Sequence, residues 1–395
     1  MNVNPEQNAN VSSFHRRELV IDAQSPQINT ALVVTPRMKE EARRLSRLGK
    51  SPQAIQVAMS RLLLDEMRQD PSVMDAFRTA WEVAGVDIVN NSHLDDAPPA
   101  TAFSEAVEMI AATHGLLDLL KPDFEMVTSG TDIRRLKAAG KRGIILNLEN
   151  TTPLGDDLNR VGFFYNLGIR AVQLTYNLRN LVGDGCLEPA DGGLSLFGRE
   201  VVRLLNDARI IIDVSHCGAQ TTADVLAKSS EPVAMSHVAC DRVLPHARAR
   251  SDDEIRRVAA DGGFIGVLLV PAFLQPTNTG DLSAFARQIE HTIELAGIEQ
   301  VGIGTDYGRC DVWPSDPAVR YAGQMGGALT EHSFSWSGWR AEHRLSETFE
   351  QRGYARWTDW PNLTTVLLRE LGLSETEARG ILGTNFLRFF ERVVG

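Results

Sequence analysis

The chain reads as a single (β/α)8 barrel, and three observations predict it. Eight short apolar, β-branched stretches recur along the 395 residues. Amphipathic segments of helical period separate most of them. Most of the stretches end in a polar residue, as strands do where a barrel builds its site at the C-terminal rim. A doubly wound open sheet is the competing arrangement, but no G-x-G-x-x-G follows the first stretch to support a dinucleotide site.

The first strand is expected over Leu19 to Gln24 and stops before Pro26. Helical additions follow, over Pro36 to Leu48, Pro52 to Met67 and Ser72 to Ala84, with apolar residues three and four apart among many charges. Gly85 to Asn91 is the second strand and Thr101 to Leu120 returns to helix. From Lys141 the alternation is regular. Strands are expected at Gly143 to Asn150, Arg170 to Asn177, Ile210 to Val214, Pro232 to Met235, Gly263 to Val270 and Gln300 to Asp306. The helical patterns between them cover Asp156 to Leu167, Phe197 to Asn206, Gly218 to Ser229, Asp252 to Ala260 and Leu282 to Ala296. A segment from Asp311 to Trp360 holds five of the six tryptophans and is expected either to fold over the rim as a wall or lid or, equally, to cap the core. Helices at Leu363 to Leu371 and Ser374 to Val394 end the chain, the second opened by a Ser374/Glu377 capping box. Residues 1–18 read as an N-terminal extension and 19–395 as one domain.

Composition narrows the partners. A net charge of −11 and a pI near 5.4, with no long basic stripe, argue against nucleic acid or an anionic membrane. No apolar run is long enough to span a bilayer and residues 1–20 carry no signal-like apolar core, so a cytoplasmic protein is expected. Cys186, Cys217, Cys240 and Cys310 show no paired spacing, in keeping with a reducing compartment. The expected partner is a small dipeptide-like substrate, with a homo-oligomer left open.

The chemistry gathers in the run IIIDVSHCGAQTTADVLAKSSEPVAMSHVA, where two Ser-His pairs end two successive strands. Strand, helix and strand make a parallel unit, so His216 and His237 reach the same rim. With Glu149 from the third strand, Tyr176 from the fourth and Asp306 from the eighth, the rim offers imidazole and carboxylate to a metal, most suitably zinc. Glu149, His216 and His237 are the expected ligands. Asp306 is placed to add a further bond or to serve as general base to a metal-bound water.

These residues also carry a resemblance. Glu149, LGIRAVQLTYNLRN, GGLSLFGREVVRLLNDARIIIDVSH, SHVAC with HARARSD, GIGTD and the tail WPNLTTVLLRELGLSETEARGILGTNFLRFF resemble the membrane (renal) dipeptidases, zinc enzymes of the amidohydrolase superfamily. The resemblance implies a TIM barrel and a binuclear zinc centre bridged by Glu149, with His216, His237 and Asp306 at the metals. It also implies a substrate-carboxylate arginine at Arg248. The family's first strand ends D-G-H-x-D, whereas this chain reads Asp22-Ala23-Gln24-Ser25-Pro26. Gln24 stands in place of the histidine, Pro26 in place of the aspartate, and Tyr176 in place of the family's substrate-binding histidine. Asp22 has the strand parity to face inward, though a structural job is expected of it ahead of a ligand's; with Gln24 it marks a possible degenerate metal site, where a shared glutamate and an aspartate remain. One tight zinc with a weak or empty second site is therefore expected, in a hydrolase of small amides. Tyr176 is expected to polarise the scissile carbonyl and Arg248 to hold a carboxylate. Two alternatives stay open: a single-metal enzyme of divergent chemistry, or a retired scaffold that only binds.

Overall fold

A computed structural model describes residues 5–94, 97–307, 338–344 and 350–395. Eight parallel strands form the barrel: β1 (Ile21–Ser25), β2 (Ile88–Ser92), β3 (Arg142–Leu148), β4 (Ile169–Gln173), β5 (Ile211–Asp213), β6 (Ala234–Val238), β7 (Phe264–Val267) and β8 (Val301–Ile303). They hydrogen-bond in that order. The eight apolar stretches are these eight strands, each covered outside by helices and packed inside against the lumen, which is why they read as nearly continuous apolar runs.

Alternation sorts the side chains. Val20, Val89, Ile144, Leu146, Val172, Ile212, Met235 and Ile265 pack outward with the helices. Ile21, Ala23, Ile88, Ile145, Ala171, Ile211, Ala234 and Phe264 form the lower lumen. The helix Asn385–Val393 plugs that mouth with Phe386, Phe389 and Phe390, Phe264 meeting Phe386 edge-on at 5.1 Å. Asn385 Nδ2 anchors the plug on the carbonyls of Ile298 and Val301, each at 2.8 Å. Higher up, the lumen turns polar, with Asn90, Asn147, Gln173 and Asp213 all buried.

The first and last strands meet through specific bonds. Asp306 N–H donates to Gln24 O at 2.8 Å. The Asp22 carboxylate accepts from Thr305 N–H (2.8 Å), Thr305 Oγ1 (2.7 Å), Trp357 Nε1 (2.9 Å) and Trp360 Nε1 (3.3 Å). This corrects the inward reading of Asp22. Ile21 and Ala23 face the lumen, so Asp22 between them faces the opposite way. The pairing of β1 with β2 then shifts register between Asp22 and Ser25, and Gln24 turns inward despite its parity. Asp22 is thus no part of a metal site, and its job is to hold the seam.

Other elements escaped the pattern. A strand Phe124–Val127 pairs with the first half of β3, while β4 takes the second half. Thr279–Asp281 and Glu350–Arg352 make a separate two-stranded sheet. The N-terminal extension contains a helix, Pro5–Arg17, pinned by His15, whose ring meets Thr364 Oγ1 at 2.7 Å and Ala84 O at 2.8 Å. The expected helical additions lie between β1 and β2, as Pro36–Arg47, Pro52–Gln69 and Pro71–Ala84. Of the Trp-rich segment, residues 311–337 and 345–349 lie outside the described residues, whereas Trp339, Trp357 and Trp360 are buried. The Ser374/Glu377 capping box is present.

Candidate metal centre

His216 stands three residues beyond β5 and His237 within β6, so both imidazoles reach the C-terminal rim, with Glu149 just past β3. Two glycines make room for this. A Cβ on Gly266 or Gly304 would lie 1.9 or 2.0 Å from Ser236 O, so only glycine lets the Ser236-His237 run sit that close to β7 and to the end of β8.

The three groups form a tight triangle. His216 Nε2 and His237 Nε2 are 2.9 Å apart, and Glu149 Oε1 is 3.3 Å from the first and 3.5 Å from the second. Ligands held at about 2.0–2.1 Å in a tetrahedron stand about 3.3 Å from one another, so these spacings suit zinc without rearrangement. Among the described residues this trio is the one set of three His, Cys, Asp or Glu side chains able to hold a metal ion.

Protonation agrees with that use. Burial, reinforced by the Arg248 guanidinium, holds both imidazoles well below their ordinary pKa, and a neutral imidazole is the form that ligates. His216 Nδ1 faces Asn177 Oδ1 at 2.7 Å, which requires the proton on Nδ1 and leaves Nε2 a lone pair directed at the triangle. His237 Nδ1 meets Ser236 Oγ at 2.8 Å. Asp306 Oδ2 lies 3.9 Å from His237 Nε2 with its side chain 30% exposed. Its backbone is in the left-handed region at φ 48°, an arrangement that costs on the order of 1 kcal/mol or more and gathers at functional sites.

Gln24 enters the site as a donor. Its Nε2 gives a 3.0 Å bond to Glu149 Oε2, and Asn147 Nδ2 donates to Gln24 Oε1 at 3.2 Å and to Asn90 Oδ1 at 2.8 Å. That chain of amides fixes which end of Gln24 faces Glu149. One carboxylate oxygen faces the histidines while the other is capped by a neutral amide.

Tyr176 stacks on the His216 ring, with centroids 4.4 Å apart and planes 22° off parallel, and its hydroxyl accepts from Trp339 Nε1 at 3.3 Å. Arg248 is 1% exposed, its guanidinium donating to the carbonyls of Ser215 and His237. The nearby Arg242 is exposed, and Arg250 is buried with Nη2 2.7 Å from Ser215 O. Cys217, beside His216, faces Thr175 Oγ1 at 3.5 Å, and burial pushes its thiol up to about 12, away from a ligand's thiolate. Sequence reasoning passed over Asn177, Asp213 and Asn147. Their only signal was a polar residue inside or just after an apolar strand.

The family model for membrane dipeptidases (peptidase family M19) matches residues 50–317. The chain belongs to the membrane dipeptidase family. Among curated relatives, the dipeptidase verJ of Clonostachys rogersoniana is 27% identical over 205 residues, covering 51% of this chain and 52% of that protein. An uncharacterized dipeptidase of Schizosaccharomyces pombe is 28% identical over 310 residues, covering 77% and 66%. The chain thus matches between half and two thirds of the length of these relatives. An amidohydrolase from Pseudomonas aeruginosa superposes with a TM-score of 0.72 at 26% identity over 98% of this chain and 99% of its own. A metallopeptidase from Rhodobacter sphaeroides, liganded with a phosphinate mimic of L-Ala-D-Ala, gives 0.69 at 17% identity, over 95% and 99%, which shows a shared fold. Within this family of dipeptidases, the candidate centre comprises Glu149, His216 and His237.

Proposed function

We propose that this dipeptidase-family chain hydrolyses a small amide of dipeptide type at a single zinc ion held by Glu149, His216 and His237. The observation that carries the reading is the triangle of two neutral imidazoles and one carboxylate at ligand spacing. The choice of one metal rests on Gln24: with Pro26 offering no ligand and the amide capping Glu149 Oε2, the other half of the family's centre lacks its two first-strand ligands and finds its shared oxygen already bonded. When bound, zinc supplies Lewis acidity and lowers the pKa of a coordinated water toward 7.

The protein's own groups divide the remaining work. Arg248 is a buried cation in no close ion pair with a carboxylate among the described residues, compensated only by two carbonyls and the longer-range field of Asp306 and Glu149, so an anion arriving beside it would be stabilised. Two of its five N–H groups are committed to carbonyls, and the rest are suited to a substrate carboxylate. Tyr176, fixed by stacking on His216, would donate its phenol proton to the carbonyl oxygen. Asp306, the most exposed carboxylate of the group, would take the proton of the attacking water and return it to the leaving amine nitrogen.

The test is metal analysis of protein purified without added metal, followed by hydrolysis of a panel of dipeptides and lactams with His237→Ala beside wild type. About one equivalent of zinc per chain and turnover that the variant loses are expected. Equal rates in both proteins would remove the hydrolase reading, and about two equivalents would remove the single-metal one.

A further inference from the structure

Asp213 ends β5, three residues before His216, and is 2% exposed in the polar part of the lumen. Its Oδ1 accepts from Ser215 N–H (2.9 Å), Ser215 Oγ (2.6 Å) and Ser236 N–H (3.3 Å). Ser215 Oγ in turn accepts from the backbone N–H of His237 at 3.2 Å and lies 3.3 Å from Ser236 Oγ, the atom that bonds His237 Nδ1. The carbonyl of Ser215, in the peptide that leads into His216, accepts from the guanidinium groups of Arg248 and Arg250. A single carboxylate therefore grips both Ser-His pairs, one from each strand.

The donors to Asp213 are neutral, and among the described residues no Lys or Arg pairs with it. A buried carboxylate served in this way costs the fold more than an apolar residue of its size would. Stability alone does not explain it, whereas the geometry of the two imidazoles does. Their nitrogens stand 2.9 Å apart across two strands that share a single register pair, Asp213 with Ala234. With so little ladder between β5 and β6, side-chain bonds must set where the histidines stand.

We propose that Asp213 is a positioning residue for the metal centre, fixing both histidines through Ser215 and Ser236. The doubled strand-Ser-His pattern is the sequence trace of that device. The proposal rests on the reading of Glu149, His216 and His237 as metal ligands.

The experiment measures the zinc dissociation constant of the metal-stripped full chain by chelator competition, and the thermal midpoint, for wild type, Asp213→Ala, Asp213→Asn, Ser215→Ala and Ser236→Ala. Zinc affinity should fall roughly 10–100-fold in Asp213→Ala and Ser215→Ala and about tenfold in Ser236→Ala, the range for residues that orient ligands. Asp213→Asn keeps an acceptor in place and should fall between wild type and Asp213→Ala, with a thermal midpoint no lower than wild type. Unchanged affinity across the set, or losses that simply follow the loss of thermal midpoint, would overturn the proposal. If Asp213→Ala does not fold, the two serine variants decide. A wild-type chain that binds no zinc would overturn the metal centre itself, an outcome seen before any variant is compared.

Discussion

Two buried histidines outside the ligand set should make folding stability fall with acid. His15 bridges Thr364 and Ala84, and His93 bridges Asn147 O (3.1 Å) and Thr113 Oγ1 (2.8 Å). Burial pushes each down to about 4 from 6.5. Above pH ~6.5 both are neutral in the folded and unfolded chain, and their contribution is fully present. As pH falls from 6.5 toward 4 the unfolded chain takes up protons that the folded chain refuses, so stability is lost. Between pH 7 and 5 each histidine should remove about 2 kcal/mol. Asp22 works the other way. Burial raises its carboxyl from 3.8 to about 6, so the folded chain protonates first and regains about 1 kcal/mol over the same range. The histidines win, for a net loss of about 3 kcal/mol from these three groups. Urea unfolding of wild type, His15→Gln and His93→Gln at pH 7 and 5 isolates the effect, because every other group is common to all three proteins. Each variant should show about 2 kcal/mol less pH dependence than wild type. Variants that keep the full wild-type dependence would show that these rings do not carry it.

Restoring the missing ligands with Gln24→His and Pro26→Asp together should raise bound zinc from about one to about two equivalents per chain, read by elemental analysis; a constant content would mean that the β1 register shift, and not residue identity, excludes the second ion. Tyr176→Phe should lower turnover of the best substrate by something like 10²-fold with zinc content unchanged. Arg248→Lys should raise KM more than it lowers kcat, because a lysine keeps the charge without the planar fork. It should also lower stability by about 1–3 kcal/mol by leaving a buried carbonyl short of a donor, measurable by thermal unfolding.

The barrel was legible because each of its strands is buried on both sides, and a run such as Ile210 to Val214 has few other destinations in a soluble chain. Glu149, His216, His237 and Asp306 were legible for a related reason: they are chemically capable residues at the ends of such runs. What failed was parity near a bulge. Asp22 faces outward by its parity with Ile21 and Ala23, the register shift after it turns Gln24 inward, and no pattern of residue types announces such a shift in a strand. The helix Pro5–Arg17 was missed because its polar sequence carries few anchors, chiefly Phe14 and His15. Phe124–Val127 was missed because four residues with a half-exposed middle hold no period. The supports of the site were the least readable. Asn177 and Asn147 act through partners distant in sequence, Asp213 ties Ser215 two residues on to Ser236 on the next strand, and each by itself looks like an ordinary polar residue in or beside a strand.

The seam between the first and last strands sets an order of events during synthesis. Asp22 emerges early, yet two of its four donors are the indoles of Trp357 and Trp360, made near the end of the chain. Until those indoles arrive, the buried carboxylate lacks half its donors, and Gln24 and Asp306 have little to hold their ends of the barrel together. A nascent chain carrying all eight strands but not the tail would lack those two donors at its seam, and unpaired strand edges invite pairing errors. The last donors to the seam come from the tail, whereas Glu149, His216 and His237 stand on β3, β5 and β6; what the tail completes is the junction of Gln24 with Asp306 at the edge of that centre.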